Sequence, residues 1–313
     1  MARRFRGFRW LLAGAALLAG LLLLVLDMTA VPDVPLEELL PLYATGASKF
    51  VDVDGLHVHY RDEGQGPALL LLHGTGSSLH TWDAWAAALS VGHRVVRMDL
   101  PGFGLTGPSP TGDYSIPAFV AFVEDFRQAV GLERFALAGN SLGGQIAWSY
   151  AIVYPTRVTD LILVDPAGYP ILKPALVFRL ARLPVFSALL AHADPRPMVR
   201  RTLRAAYGDP SKVTPELIQR YTLLALRAGN RAAFVARARV SQADRSADIG
   251  KVRARTLILW GRQDRLIPVT DAARFAKAIP GAEVIIYDGV GHVPMEEMGE
   301  RSAADVEAFL AKR

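Results

Sequence analysis

From residue 49 onward the chain alternates short, evenly apolar runs with amphipathic stretches. The opening run, "KFVDVDGLHVHYRDEG", alternates apolar and polar residues on either side of Asp54-Gly55. That dipeptide supplies the positive φ angles of a tight turn, so the run predicts an antiparallel hairpin. The runs Ala68–Gly74, His93–Gly102, Arg134–Ser141 and Val158–Gly168 are too short and too uniformly apolar for amphipathic helices. They predict parallel strands buried on both faces. Ser78–Ser90 and Ser115–Gly131 carry helical spacing, the second with Ser115 as its cap and Gly131 as its stop. Strand, helix, strand repetition implies right-handed crossovers and an α/β fold built on a mostly parallel sheet with helices on both faces.

The rhythm breaks after Pro166 and resumes at Ala254–Asp264, followed by Ala282–His292 and a closing helix from Ser302 to Lys312. The intervening stretch is rich in Leu, Ala and Arg at helical spacing and offers no strand candidate. It predicts a helical cap over residues 169–247, inserted into a core of residues 49–168 and 248–313 and lying over the strand ends where ligands bind in open α/β sheets. Within it, Ala175–Leu190 has one apolar face with Arg179 and Arg182 beside it. An ordinary packed lid helix is the default for such a segment; lining an acyl pocket or facing a bilayer are the functional alternatives.

The N-terminus departs from this pattern. "MARRFRGFRW" runs into an uncharged apolar stretch, Trp10–Leu26, of 17 residues. Its length is at the short end of the roughly 17–25 residues of a membrane-spanning helix and above the ~7–15 of a secretory apolar region. The expectation is a transmembrane signal anchor over residues 1–27, followed by a proline-bearing linker over 28–48. Arginines before the run and acids after it place the N-terminus in the cytoplasm and the body on the extracytoplasmic side. A secreted protein, released by signal cleavage, is the rival reading.

Composition narrows the function. At 313 residues, 51% hydrophobic and 21% charged, the chain has ample material for a large core. The net charge of +5 is mostly Arg3, Arg4, Arg6 and Arg9, so the body is nearly neutral and nucleic acid is a poor partner. With no cysteine, disulfides, thiol nucleophiles and thiolate metal sites are excluded.

Candidate chemistry centres on Gly139-Asn140-Ser141-Leu142-Gly143, a G-x-S-x-G pattern between a strand and a helix. In that context Ser141 sits on a sharp strained turn, and the flanking glycines remove side chains that would collide. A serine hydroxyl needs a base, an orienting acid and an oxyanion site. His292, in the loop after the last strand, supplies the base; Asp264, ending the preceding strand, supplies the acid. The backbone N–H groups of Leu142 and of Thr75, in "HGTGSS", are the oxyanion donors. Asp165, at the end of "LILVD", is the strongest substitute for Asp264, whose own bland reading is a helix cap. His73 reads as a brace of its loop, Asp99 as structural, His57 and His59 as a solvated strand face, and Glu296 and Glu297 as helix-end or surface charges.

Five motifs, "HGTGSS", "DLPGFG", "GNSLGG", "WGRQDRLIP" and "GVGHVPMEE", follow one another in order. In this the chain resembles the α/β-hydrolase superfamily from about Lys49 to its C-terminus. The resemblance implies an eight-stranded sheet, a Ser141–Asp264–His292 triad, and no metal or organic cofactor. Within the superfamily the chain is similar to membrane-anchored monoacylglycerol lipases and bacterial carboxylesterases, which implies an ester or lipid substrate with an apolar acyl group. "GNSLGG" also resembles hydrolases of carbon–carbon bonds in ring-fission products. Those usually carry an aromatic residue soon after the histidine, where this chain has Val293, Pro294 and Met295. Lactone or amide cleavage, and a non-catalytic ligand-binding receptor, are the remaining readings.

Overall fold

A computed structural model describes residues 30–170, 181–240 and 243–312. Its centre is one eight-stranded sheet in the order β1-β2-β4-β3-β5-β6-β7-β8. The strands are β1 (Ser48–Val53), β2 (Leu56–Glu63), β3 (Ala68–Leu72), β4 (Arg94–Met98), β5 (Phe135–Asn140), β6 (Val158–Val164), β7 (Arg255–Gly261) and β8 (Glu283–Tyr287). β1 and β2 form the expected hairpin, closing at Val53 opposite Leu56 with Asp54 and Gly55 both at positive φ. β2 also runs antiparallel to β4, and every later pairing is parallel.

The apolar run of β3 shows why these strands carry no polar stripe. Leu70 and Leu72 pack into the core on one face of the sheet, Leu69 and Leu71 into the core on the other, and all four are fully buried. Each contributes about 2 kcal/mol of burial. Helices α2 (Asp83–Leu89) and, at the chain's end, Gly299–Leu310 pack together on the side of Leu69 and Leu71, tied by Trp85 Nε1 donating to Ser302 Oγ at 2.8 Å. On the opposite side lie α3 (Ile116–Ala129), capped by the Ser115 hydroxyl, and α4 (Leu142–Val153).

Between β6 and β7 the described residues form four α-helices and no strand: α5 (Pro184–His192), α6 (Arg196–Ala206), α7 (Pro215–Leu226) and α8 (Asn230–Arg239). The amphipathic segment Ala175–Leu190 lies partly outside the described residues; in its described part Ala181 is buried while Leu183 and Phe186 are exposed.

Two expectations for the N-terminal part are corrected. No helix among the described residues is long and apolar enough to cross a membrane, and Trp10–Leu26, on which the transmembrane anchor and the single-pass topology were placed, lies outside them. The linker of residues 28–48 is also corrected, because from residue 30 it is folded structure docked on the cap. α1 (Leu36–Tyr43) buries Leu39 against Leu105 and Leu224. Val34 N donates to Leu226 O at 2.8 Å, and the buried Arg231 guanidinium holds Asp33 at 2.7 Å. Of the three prolines that suggested a loop, Pro35 sits at the helix's edge and Pro41 inside it, where tertiary packing overrides local preference.

Candidate active site

β5 ends at Asn140, α4 begins at Leu142, and Ser141 takes the turn between them at φ 54°, ψ −113°. A non-glycine residue in this region stores about 1–3 kcal/mol of strain. The surrounding packing over-determines it. Ser141 N donates to Val164 O at 3.1 Å, and Ser141 O accepts from Gln145 N and Ala167 N, both at 3.0 Å. The glycines are needed for close approach: a side chain at Gly139 would fall on Gly143 O, and one at Gly143 on Leu72 O. The helix start is thereby pressed against the end of β3.

The loop after β3 carries Thr75. Its Gly74 lies so near the elbow that an added Cβ would stand 2.8 Å from Asn140 Oδ1 and 3.1 Å from Ser141 Cβ. His73 braces this loop from within, Nδ1 donating to Gly74 O at 2.8 Å and Nε2 accepting from Leu100 N at 2.9 Å. Burial pushes its pKa down, consistent with the neutral tautomer those bonds demand. Leu142 opens α4, where the first N–H groups have no intrahelical partner.

On the other side of the elbow His292 Nδ1 meets Asp264 Oδ2 at 2.6 Å, with both residues buried. Asp264 Oδ1 accepts from Leu266 N at 2.7 Å and Ile267 N at 3.0 Å. Its two oxygens therefore do both tasks, holding the turn and orienting the imidazole. Among the described residues no hydrogen bond joins the Ser141 hydroxyl to His292. The two are linked through Asn140, whose Nδ2 donates to Val164 O at 3.1 Å and to His292 O at 3.0 Å.

Asp165 lies behind this pair at φ 43°, fully buried. Oδ1 accepts from Gly261 N at 3.0 Å, and among the described residues Oδ2 has no hydrogen-bond partner. Burial first, and the Asp264 carboxylate second, hold its carboxyl well above the usual range, favouring the neutral acid. Asp165, Asp264 and His292 bring ligand-type atoms within 4.8 Å of one another. As a metal set they are poor, since Asp264 and His292 Nδ1 already satisfy each other and Asp165 favours its proton.

Several residues here escaped the sequence reading. Glu296 and Glu297, read as helix-end or surface charges, do end the short helix Pro294–Glu297 but are largely buried: Glu296 accepts from the hydroxyls of Tyr207 at 2.6 Å and Tyr221 at 2.8 Å, and Glu297 from three backbone N–H groups. His59, read as part of a solvated strand face, is fully buried and bonded to Asp99 at 2.7 Å, whereas His57 is exposed. Asn140 carried a signal in "GNSLGG", but nothing in the sequence shows that its amide reaches a residue 152 positions away.

The model of the alpha/beta hydrolase fold family matches residues 67–298. A 2-hydroxy-6-oxo-6-phenylhexa-2,4-dienoate hydrolase of Comamonas testosteroni is 28% identical over 84% of this chain and 94% of its own. Among solved structures, a membrane phospholipase A described as a bacterial virulence factor is 29% identical, with a TM-score of 0.72 over 99% of this chain and 98% of its own. A putative lipase of Acinetobacter baumannii is also 29% identical, with a TM-score of 0.75 over 90% of this chain and 97% of its own. With an eight-stranded sheet, a serine elbow and a match over most of its length, the chain belongs to the alpha/beta hydrolase fold family.

Proposed function

We propose that the protein is a serine hydrolase that cleaves a carboxylic ester with an apolar acyl group, monoacylglycerol-like esters being the best single class. What supports the reading is the buried His292–Asp264 contact at 2.6 Å together with a serine held in a strained elbow, whose neighbour Asn140 donates to the His292 carbonyl. In the proposed cycle Ser141 Oγ attacks the ester carbonyl as His292 Nε2 takes its proton. Asp264 fixes the Nδ1–H tautomer and stabilises the imidazolium. The N–H groups of Thr75 and Leu142 hold the oxyanion, and His292 returns its proton to the departing alcohol. Water, deprotonated by the same imidazole, then attacks the acyl-enzyme, releasing the acid and restoring Ser141. The cycle draws on no metal or organic cofactor. The phospholipase and lipase descriptions of two solved relatives support an apolar acyl group.

The dienoate hydrolase relative favours a second reading, hydrolysis of a carbon–carbon bond beside a ketone. Val293 and Pro294 after the histidine count against it. A panel of glycerol and p-nitrophenyl esters of graded acyl length, run beside a ring-fission dienoate, separates the two. Turnover of esters with a preference for medium or long chains supports the first reading; turnover of the dienoate alone overturns it.

A further inference from the structure

The loop carrying Thr75 follows β3 inside the sheet, and the loop carrying His292 follows β8 at its edge, yet one stretch of the cap holds both. At the histidine loop the contact is made by backbone. His292 N donates to Ala206 O at 2.5 Å, at the end of α6. A side chain at Gly291 would fall on Ala206 O, and one at Gly208 on Gly289 O, so the two loops touch main chain to main chain. Glu297 seals the contact, accepting from Gly208 N and Gly291 N at 2.9 Å and from Asp209 N at 2.8 Å.

One turn further on, a side-chain bridge continues to the other loop. Glu296 lies in the short helix α10 (Pro294–Glu297; α9 is Thr270–Ala278), which starts two residues after His292. It accepts from Tyr207 of the cap at 2.6 Å and from Tyr221 of α7 at 2.8 Å, with Arg220 Nη2 at 3.3 Å. The Tyr221 oxygen also lies 3.1 Å from Ser77 Oγ, two residues after Thr75. Since the phenol proton is committed to Glu296, Ser77 donates to Tyr221. Burial and the Glu296 carboxylate raise the pKa of both phenols far above their ordinary value, so both remain donors across the working pH range.

We propose that Tyr221 is a positioning residue of the hydrolytic site, its hydroxyl joining the Thr75 loop to the His292 loop through Ser77 and Glu296. The oxyanion donor and the base then reach their working geometry together, and only with residues 206–221 of the cap seated. Both groups act on the transition state more than on bound substrate, so loosening them lowers kcat rather than raising KM. A cap residue that merely lines the pocket does the opposite. The proposal rests on the serine-hydrolase reading.

The test compares wild type, Tyr221→Phe, Ser77→Ala and the double variant on a p-nitrophenyl ester, with fluorophosphonate labelling of Ser141 and amide hydrogen exchange measured alongside. Tyr221→Phe keeps the ring and removes only the bridging hydroxyl. The expected result is a kcat lower by roughly 10–100-fold with KM within about twofold, a similar loss in Ser77→Ala, and a double variant no worse than either single. Amides of residues 74–78 and 290–297 exchange faster together in Tyr221→Phe. Wild-type kcat in Tyr221→Phe, a change in KM alone, or losses that multiply in the double variant overturn the bridge while leaving the hydrolase reading intact. A wild-type protein that neither turns over ester nor labels overturns that reading and this proposal with it.

Discussion

His292 and Asp264 are 28 residues apart in sequence, and their side chains meet at 2.6 Å in a buried contact that leaves the carboxylate's second oxygen bonded to the turn that carries it. Replacing Asp264 by Asn offers Nδ1 a donor or a neutral acceptor where the cycle needs a negative charge. The expected loss in kcat is about 10³–10⁴-fold, with the far-ultraviolet circular dichroism spectrum unchanged. An active Asp264→Asn enzyme would remove Asp264 from its role.

Asp165 separates from Asp264 by the same experiment. Because burial favours its neutral form, Asp165→Asn preserves both its charge state and its acceptor for Gly261 N. Activity within about fivefold of wild type is expected, a ΔΔG‡ of roughly 1 kcal/mol. If Asp165→Asn instead lost as much as Asp264→Asn, Asp165 would be the acid that orients His292.

The segment from residue 30 predicts a stability effect that a loose tether does not. Arg231 Nη1 donates to His192 O at 2.6 Å and Ala193 O at 2.9 Å, and Nη2 to Val31 O at 2.8 Å and Asp33 Oδ1 at 2.7 Å. Arg231→Ala should destabilise the protein by about 1.5–3 kcal/mol, the range for hydrogen bonds to a charged group, read as a lower denaturation midpoint. No change would mean that the docked segment contributes nothing to stability.

His80 gives the protein a pH-dependent weakness. Burial, opposed by Asp99 and Asp83 and reinforced by Arg61 and Arg220, holds its pKa at about 4 against an ordinary value of 6.5. The neutral ring fits its partners, Nε2 donating to Tyr43 O at 3.1 Å and Nδ1 accepting from Ser78 Oγ at 3.1 Å. The unfolded chain binds a proton that the folded protein refuses, so the group has no effect above about pH 6.5 and subtracts stability as pH falls toward 4. The slope is about 1.4 kcal/mol per pH unit. Urea midpoints measured between those limits should fall less steeply in His80→Gln than in wild type; equal slopes would contradict the assignment.

How much of this was legible in the sequence follows from how local each signal is. The strands of the sheet showed because Leu69–Leu72 bury on both faces and leave an unbroken apolar run. Ser141 showed because its turn demands glycines at fixed offsets. Asp264 and His292 meet because they follow β7 and β8, neighbours in the sheet, an adjacency that the sequence does not display. The docking of residues 30–48 was hidden, since Asp33 finds its partner at Arg231 and nothing near Asp33 announces it. The burial of Glu296 and Glu297, read as helix-end or surface charges, was hidden for the same reason: their partners, Tyr207, Tyr221 and the amides after Ala206, lie in the cap, whose fold over the sheet no periodicity specifies. The apolar run Trp10–Leu26 was a signal of composition only, and composition does not place a helix in a bilayer.

The central claim is that Ser141 is a nucleophile made reactive by His292, and covalent labelling tests it most directly. Intact-mass spectrometry after treatment with a fluorophosphonate should show one adduct, mapped to the peptide that contains Ser141. Ser141→Ala should show none and should lose ester turnover by about 10⁶-fold, while His292→Ala keeps the hydroxyl but labels far more slowly. An adduct at another residue, or ester turnover surviving in Ser141→Ala, would contradict it.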